Sequence, residues 1–159
     1  MGPEIRVSSG AGRPEALERL RDRPRRFEFA FAPGYRRVAR LFGVTPARAW
    51  VAIDGAVFEA RFGPWRVLTP LANIVAAGVT GPYRPLKTAG PARLAITDRG
   101  LTFATNRDRG VRITFATPVA GLDPLGLVRH PELTVTVADV EGLTRLLDAR
   151  PWEETVAMR

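Results

Sequence analysis

The stretch from Ala47 to Thr80 constrains the fold more than any other part of the chain, because four short apolar runs follow one another with turn residues between them. Asp54-Gly55 separates the first two runs, and an Asp-Gly pair tolerates the positive φ angles of a two-residue hairpin turn. Gly63-Pro64 marks the next turn, Leu71-Ala72-Asn73 marks a corner, and Gly81-Pro82 ends the last run. Strands with such short connections are usually spatial neighbours. The stretch therefore predicts a four-stranded antiparallel meander.

The second of these runs indicates which side chains face the core. Its apolar and polar residues alternate with a period of two, which is typical of a strand with one buried and one wet face. The inward residues predicted for this strand are Phe58, Ala60 and Phe62. The predicted core of the whole meander consists of Trp50, Phe58, Phe62 and Ile74.

A strand and a short helix are predicted before the meander. Phenylalanine occupies every second position of the segment 27–31, which predicts a strand with three inward aromatic rings. The segment 35–42 predicts a helix with apolar residues on one side and arginines on the other, and Gly43 suits the left-handed residue after a helix. The apolar residues are Val38, Leu41 and Phe42, and the arginines are Arg36, Arg37 and Arg40.

The second half of the chain predicts another meander, a long connection and a final helix. Strands are predicted over 92–97, 101–105 and 111–115, with polar turns between them. The segment 117–131 predicts a long connection that packs down through its apolar side chains. Asp139 is a suitable N-cap for the helix. The predicted inward residues are Leu133, Val135 and Val137 on the last strand, and Val140, Leu143, Leu146 and Leu147 on the helix.

Length and composition predict a single domain with flexible ends. A chain of 159 residues buries enough surface to fold without a disulfide, and it contains no cysteine. Residues 1–25 hold few large apolar side chains and predict a flexible arm, residues 26–150 form the β domain, and residues 151–159 form a tail. The N-terminus has no apolar signal core, and no run approaches a membrane span. We therefore expect a cytoplasmic protein.

Together the elements predict a mainly β fold, an antiparallel barrel or sandwich of about seven to nine short strands with a short N-terminal helix and a C-terminal amphipathic helix. This outline resembles a pleckstrin-homology-like (PH-like) barrel. The residues from Leu68 to Ile74 are similar to a bacterial PH-like pattern that follows a turn such as Phe62-Gly63-Pro64-Trp65, and Leu133 to Leu143 resembles the last strand running directly into the helix. The chain resembles an uncharacterised actinobacterial group with such a domain over roughly 27–149. The resemblance implies a fold and no activity.

The charge favours an anionic partner. The net charge is +8 and the pI is about 11.3, which raises the expectation of binding to nucleic acid or an acidic membrane surface. The basic residues are scattered, and all but Lys87 are arginine in a chain rich in alanine, glycine and proline. This skew is typical of GC-rich coding, so the charge by itself does not specify nucleic-acid binding.

Three sets of residues are candidates for binding. Arg107, Arg109 and Arg112 surround one predicted turn, while Arg84 and Lys87 lie in another. The PH-like resemblance implies that basic residues in strand loops bind phospholipid headgroups, so both sets are candidate anion sites; the alternative is that they are solvated turn residues. The candidates for partner contact are Arg36, Arg37, Arg40 and Trp65, for which the alternatives are a solvated helix face and a core aromatic.

The sequence contains no catalytic constellation. Nucleophilic catalysis needs an activated side chain beside a base, but both serines, Ser8 and Ser9, lie in the predicted arm and there is no cysteine. His130 is the only histidine, and a structural role in a loop is favoured over catalysis. Clustered Cys and His ligands are absent from the sequence as well. We therefore predict no catalytic residue, no metal site and no cofactor.

The preferred functional hypothesis is a non-enzymatic protein-interaction or assembly module with an unknown protein partner. One alternative is electrostatic binding of acidic phospholipid or nucleic acid through surface arginines. Another is transport of a small apolar ligand inside the barrel, although bulky inward side chains argue for a filled core. A homo-oligomer is a further alternative.

Overall fold

The computed structural model describes residues 24–82, 92–94 (backbone only), 100–106, 108–123 and 125–149. Within these residues it contains nine strands and two α-helices. The strands are β1 (Arg25–Glu28), β2 (Ala49–Asp54), β3 (Val57–Phe62), β4 (Trp65–Pro70), β5 (Ile74–Thr80), β6 (Ala92–Leu94), β7 (Leu101–Phe103), β8 (Gly110–Ala120) and β9 (Arg129–Val135). The helices are α1 (Pro33–Leu41) and α2 (Val140–Asp148), and short 3-10 helices cover Pro46–Arg48 and Leu71–Asn73.

The first sheet has the order β1-β2-β3-β4 and is antiparallel throughout. Its turns lie close to where the glycines predict them. Asp54 pairs with Val57, so the two-residue loop consists of Gly55 and Ala56, one position later than the predicted Asp54-Gly55 loop. Gly55 has a φ of +55°, so the glycine supplies the left-handed conformation at the first position of this loop. The second loop is Gly63-Pro64, as predicted.

The fourth predicted meander strand leaves the first sheet. After the corner Leu71–Asn73, β5 pairs with β8 and becomes an edge of the second sheet, whose order is β5-β8-β9-β7-β6. The prediction of a four-stranded meander is therefore wrong for its last strand. Within the described part of the chain the two sheets do not close into a barrel. They share one hydrophobic core instead.

The second predicted meander is only partly correct. Strands β6 and β7 pair as expected, but β9 lies between β7 and β8, and its pairing with β7 is parallel rather than antiparallel. The chain leaves β7 through a turn in which the Asn106 side-chain oxygen accepts the N–H groups of Asp108 at 3.0 Å and Arg109 at 3.4 Å. This turn directs the chain past β9 before β8 begins, so sequence neighbours are not sheet neighbours here.

The predicted connection over 117–131 is mostly a hairpin. Strand β8 continues to Ala120 and β9 begins at Arg129, with Val119 opposite His130, so the connecting loop is only 121–128. His130 is therefore a fully buried strand residue, not a loop residue. The last strand also begins earlier than predicted, and Val137 instead forms an isolated bridge to Phe29.

Aromatic rings from three segments form the centre of the core. The ring of Phe62 lies 5.1 Å from that of Phe29 and 5.0 Å from that of Phe103, between centroids. Phe58, Phe62 and Ile74 are buried as predicted, but Trp50 is not a core residue. Trp50 lies on the outer face of β2, where the Arg26 guanidinium stands 4.9 Å from its ring centroid. Val51 and Ile53 take the inward phase of that strand, and adjacent strand residues cannot both face inward.

Helix α2 confirms the prediction for the C-terminal helix. The Asp139 side chain accepts the Gly142 N–H at 2.9 Å and caps the first turn. Val140, Leu143 and Leu147 are buried against the second sheet. Neither helix among the described residues has the length and the apolar run that crossing a bilayer requires. The predicted arm, except for Pro24 and Arg25, and the predicted tail lie outside the described residues.

Candidate functional site

Helix α1 is hydrogen-bonded to the rest of the fold on its N-terminal side, and on its C-terminal side a cap leads into the fully buried Val44. On its N-terminal side, the Ala30 N–H donates to the Thr136 carbonyl and the Ala32 N–H donates to the Thr105 carbonyl, both at 3.0 Å. Pro33 supplies the preset φ of a first helical residue. On its C-terminal side, Gly43 has a φ of +73° and donates its N–H to the Arg40 carbonyl at 3.0 Å. The helix is therefore fixed in position, although it buries little of its own surface.

The apolar side of α1 does not face the core. Ala39 is the only buried residue of the helix, and Val38 and Phe42 are about half exposed. Leu41 is 84% exposed. Exposed apolar side chains that lie together on a fixed element are typical of an interaction site.

The arginine side of α1 lines an open cleft of about 770 Å³. Arg36, Arg37 and Arg40 are exposed, and none of them forms an ion pair among the described residues. The helix itself contains no acidic residue. The cleft is completed by Phe31, Pro33, Thr45 and Pro46. We call the exposed side chains of Arg36, Arg37, Val38, Arg40, Leu41 and Phe42 the α1 surface.

Trp65 packs on the core. It is partly buried, and its ring stacks on Phe62 with 6.4 Å between centroids. The turn that precedes Trp65 packs closely against Gly43, just after the end of α1. A Cβ atom at Gly63 would lie 2.9 Å from the Gly43 carbonyl oxygen. Trp65 therefore belongs to the core layer, while the three helix arginines predicted for partner contact do lie together.

The predicted anion sites are less available than the α1 surface. Arg109 forms an ion pair with Glu141, and the Arg112 Nε atom lies 3.9 Å from a carboxylate oxygen of Glu132. Both of these predicted anion-binding arginines therefore face a carboxylate. The Arg109 hydrogen bond holds the pKa of Glu141 below its ordinary value. The other predicted members, Arg84, Lys87 and Arg107, lie outside the described residues.

The prediction that the connection 117–131 packs down through its apolar side chains is wrong for the loop 121–128, which instead forms a second exposed apolar feature. Leu125 is 80% exposed and Leu127 is similarly open. The Asp123 carboxylate accepts the N–H of Leu127 at 2.5 Å and that of Val128 at 3.1 Å, and these bonds lower the pKa of Asp123, the Leu127 bond most strongly. An Asp that caps its own loop in this way is a signal that the sequence does contain.

A buried polar cluster also escaped prediction. The Thr105 hydroxyl donates to the Ala30 carbonyl at 2.7 Å and lies 3.1 Å from the Thr136 hydroxyl, and the Asn106 side-chain amide donates to the same carbonyl at 2.8 Å. These contacts join the segment before α1 to the ends of β7 and β9. Their role is to position α1, since every group in the cluster has a partner within the fold.

The described residues contain no group of three or more His, Cys, Asp and Glu side chains that could hold a metal ion. His130, the single histidine, is fully buried on β9. The α1 surface is therefore the best candidate site in the part of the chain that the structure describes, and its chemistry is that of binding. Comparisons with protein families, with curated proteins and with solved structures gave no match.

Proposed function

We propose that the protein is a non-enzymatic, PH-like binding module that docks an acidic protein partner on the α1 surface. The observation that carries the proposal is the group of three arginines that form no ion pair with any described residue and lie beside the exposed Leu41. Arginine presents a planar fork of donors that matches a carboxylate, and it is enriched with apolar side chains at protein interfaces.

The shape of the site favours a protein partner over a flat membrane or a nucleic acid. The arginines line a concave cleft between α1 and the segment that contains Thr45 and Pro46. A protruding element with carboxylates can enter such a cleft, while Leu41 and Phe42 provide an apolar contact beside it. A flat bilayer surface would reach the leucine but leave the floor of the cleft empty.

The apolar-carrier hypothesis has no such support. The inward positions of β2, β3, β7 and β8 are filled by packed side chains, with Phe58, Phe62 and Phe103 fully buried. The rings of Phe62 and Phe103 stack with 5.0 Å between their centroids. The proposed function therefore concerns the surface and not the interior.

A photo-crosslinking experiment tests the proposal. A photoreactive amino acid replaces Leu41 in the full chain, and a second protein carries it at Leu125, which is matched for exposure. We expect a discrete protein adduct from position 41 in host cells and none of the same mass from position 125. The adduct should disappear when Arg36, Arg37 and Arg40 are all changed to Gln.

In the charge-matched control, three arginines outside α1 are changed to Gln, which removes the same number of positive charges. They are Arg25, Arg112 and Arg145. This control should retain the adduct. The proposal is wrong if position 41 gives no protein adduct while the protein binds phosphatidylglycerol vesicles or a DNA duplex in an α1-dependent manner, because the partner would then be an anionic surface.

A further inference from the structure

The two sheets meet without strand pairing where β4 lies beside the end of β8, and we call this place the seam. Strand β4 is the last strand of the first sheet, so its outer edge has no neighbouring strand among the described residues. On the opposite side, β5 accompanies β8 only as far as Phe115, and β8 separates from β9 between Thr114 and Val119. A groove of about 570 Å³ lies between these two edges.

The register of the first sheet shows which backbone groups of β4 face the seam. Because the loop between β3 and β4 has two residues, Phe62 and Trp65 form a hydrogen-bonded pair. Along an antiparallel ladder, hydrogen-bonded pairs alternate with pairs whose N–H and C=O groups point away from each other. Residues 65, 67 and 69 therefore bond to β3. The N–H and C=O groups of Arg66 and Leu68 point the other way, and within the described chain no strand pairs with them. Pro70, which has no N–H, ends this free edge.

The Asn73 side chain bridges the two sides of the seam at one end. Its side-chain amide donates to the Thr69 hydroxyl at 3.0 Å and to the Thr117 carbonyl at 2.8 Å, while its side-chain oxygen accepts the Thr117 N–H at 2.8 Å. This amide joins the end of β4 to the separated part of β8. The polar groups at the floor are satisfied by one another. Among the described residues, the backbone groups along the groove that no strand pairs with are therefore those of Arg66 and Leu68.

The side chains around the groove define what would fit. Leu68 is 52% exposed and offers an apolar contact. Arg66 is neutralised by Glu59 at 2.7 Å, but Arg129, on the other wall, forms no ion pair among the described residues. The free edge from Arg66 to Pro70 is about 13 Å long at the rise of a β-strand, enough for about four residues of a second strand. The remaining lining residues are Pro118, Val119 and Ala120.

We infer that the seam is a second binding site, which takes an extended, carboxylate-bearing peptide segment of a partner protein as an additional strand on β4. The free groups of Arg66 and Leu68 supply the main-chain hydrogen bonds of strand addition, and Arg129 supplies the charge that selects an acidic residue. The inference does not depend on the α1 surface, because α1 lies in the connection between β1 and β2, whereas the seam lies beside β4.

Selection from a phage-displayed library of linear decapeptides supplies the probe. The library is panned against the full chain with its α1 arginines changed to Gln, so that only other sites can select peptides. We expect enrichment of peptides with an acidic residue within a run of β-formers. On binding, amide hydrogen exchange at Arg66 and Leu68 should slow by about tenfold or more, because these N–H groups gain acceptors.

Two substitutions and one control test whether the selected peptides bind in the seam. Leu68→Pro removes a donor on the free edge without removing a bond to β3, and it should abolish peptide binding. Arg129→Glu leaves the backbone intact and should weaken binding about tenfold or more, whereas Arg112→Glu makes the same charge change outside the groove and should leave binding unaltered.

The inference is overturned if the selected peptides leave the exchange of Arg66 and Leu68 unchanged, or if no peptide is enriched. It is also overturned if these amides become protected with rising protein concentration in the absence of peptide, since a second copy of the chain would then occupy the edge. Failure of the crosslinking experiment at Leu41 would leave these results unaffected.

Discussion

The two α-helices have the same length, nine residues, and both are amphipathic, yet they use their apolar sides in opposite ways. Helix α2 buries Val140, Leu143 and Leu147, whereas α1 buries only Ala39 and exposes Leu41. Only α2 has a side-chain cap, from Asp139; Ala32 at the start of α1 provides none. An amphipathic pattern predicts a helix, and packing decides whether its apolar side stabilises the fold or remains available for a partner.

The net charges of the two halves of the described chain also differ. Residues 24–82 contain eight arginines and three carboxylates, whereas the described residues from 100 to 149 contain four arginines and six carboxylates. In the second half, Arg109 and Arg112 face Glu141 and Glu132. The positive charge of the described chain is therefore concentrated on the half that carries α1, where it adds to the attraction of an acidic partner.

The largest expected effect comes from truncating an apolar side chain in each helix. Leu143 is fully buried, so Leu143→Ala should lower the free energy of unfolding by about 2–5 kcal/mol. Leu41 is exposed, so Leu41→Ala should change it by less than about 0.5 kcal/mol. Urea denaturation measures both values. A loss of more than about 1.5 kcal/mol for Leu41→Ala would show that α1 is part of the folded core and would remove the distinction between the helices.

Substitutions at the two helix caps should change the free energy of unfolding by smaller amounts, with a loss of stability at the α2 cap and a gain at the start of α1. Asp139→Ala removes the bond to the Gly142 N–H and should cost about 1 kcal/mol of unfolding free energy. Ala32→Ser introduces a side-chain oxygen at the uncapped start of α1 and should stabilise by a few tenths of a kcal/mol or more. Thermal unfolding of both variants measures the difference. Asp139→Asn, which keeps an acceptor, is the control and should be close to the parent protein.

Local signals in the sequence predicted local structure well. The glycines at 55 and 63, the corner at Leu71–Asn73 and the Asp139 cap are each determined by residues within a few positions of one another. The alternation around Trp50 was also sufficient, because Val51 and Ile53 define the inward phase of β2. The prediction that Trp50 belongs to the core did not follow that alternation.

Long-range pairing could not be predicted in this way. A period of two shows which face of a strand is buried, but it does not show which strand lies beside it, so the transfer of β5 to the second sheet and the insertion of β9 between β7 and β8 were missed. The candidate sites show the same difference. The arginines of α1 are neighbours through helical spacing, whereas the seam depends on Asn73 reaching Thr117, which is 44 residues away.

The smallest expected effect is a pH dependence of stability that comes from Glu141 of α2 and its ion pair with Arg109. The ion pair with Arg109 lowers the pKa of Glu141, so this carboxylate stabilises the folded state above its unfolded pKa of about 4.3, and the contribution disappears as the pH falls through the folded value. Because both side chains are exposed, the effect on overall stability is small, and the direct measurement is the carboxyl carbon NMR shift of Glu141 between pH 2 and 7. Arg109→Gln should move the Glu141 midpoint upward, while Arg40→Gln, in α1, should leave it unchanged. An equal response to both changes would mean that general surface charge, rather than this pair, sets the titration, and the electrostatic part of the comparison between the helices would then be wrong.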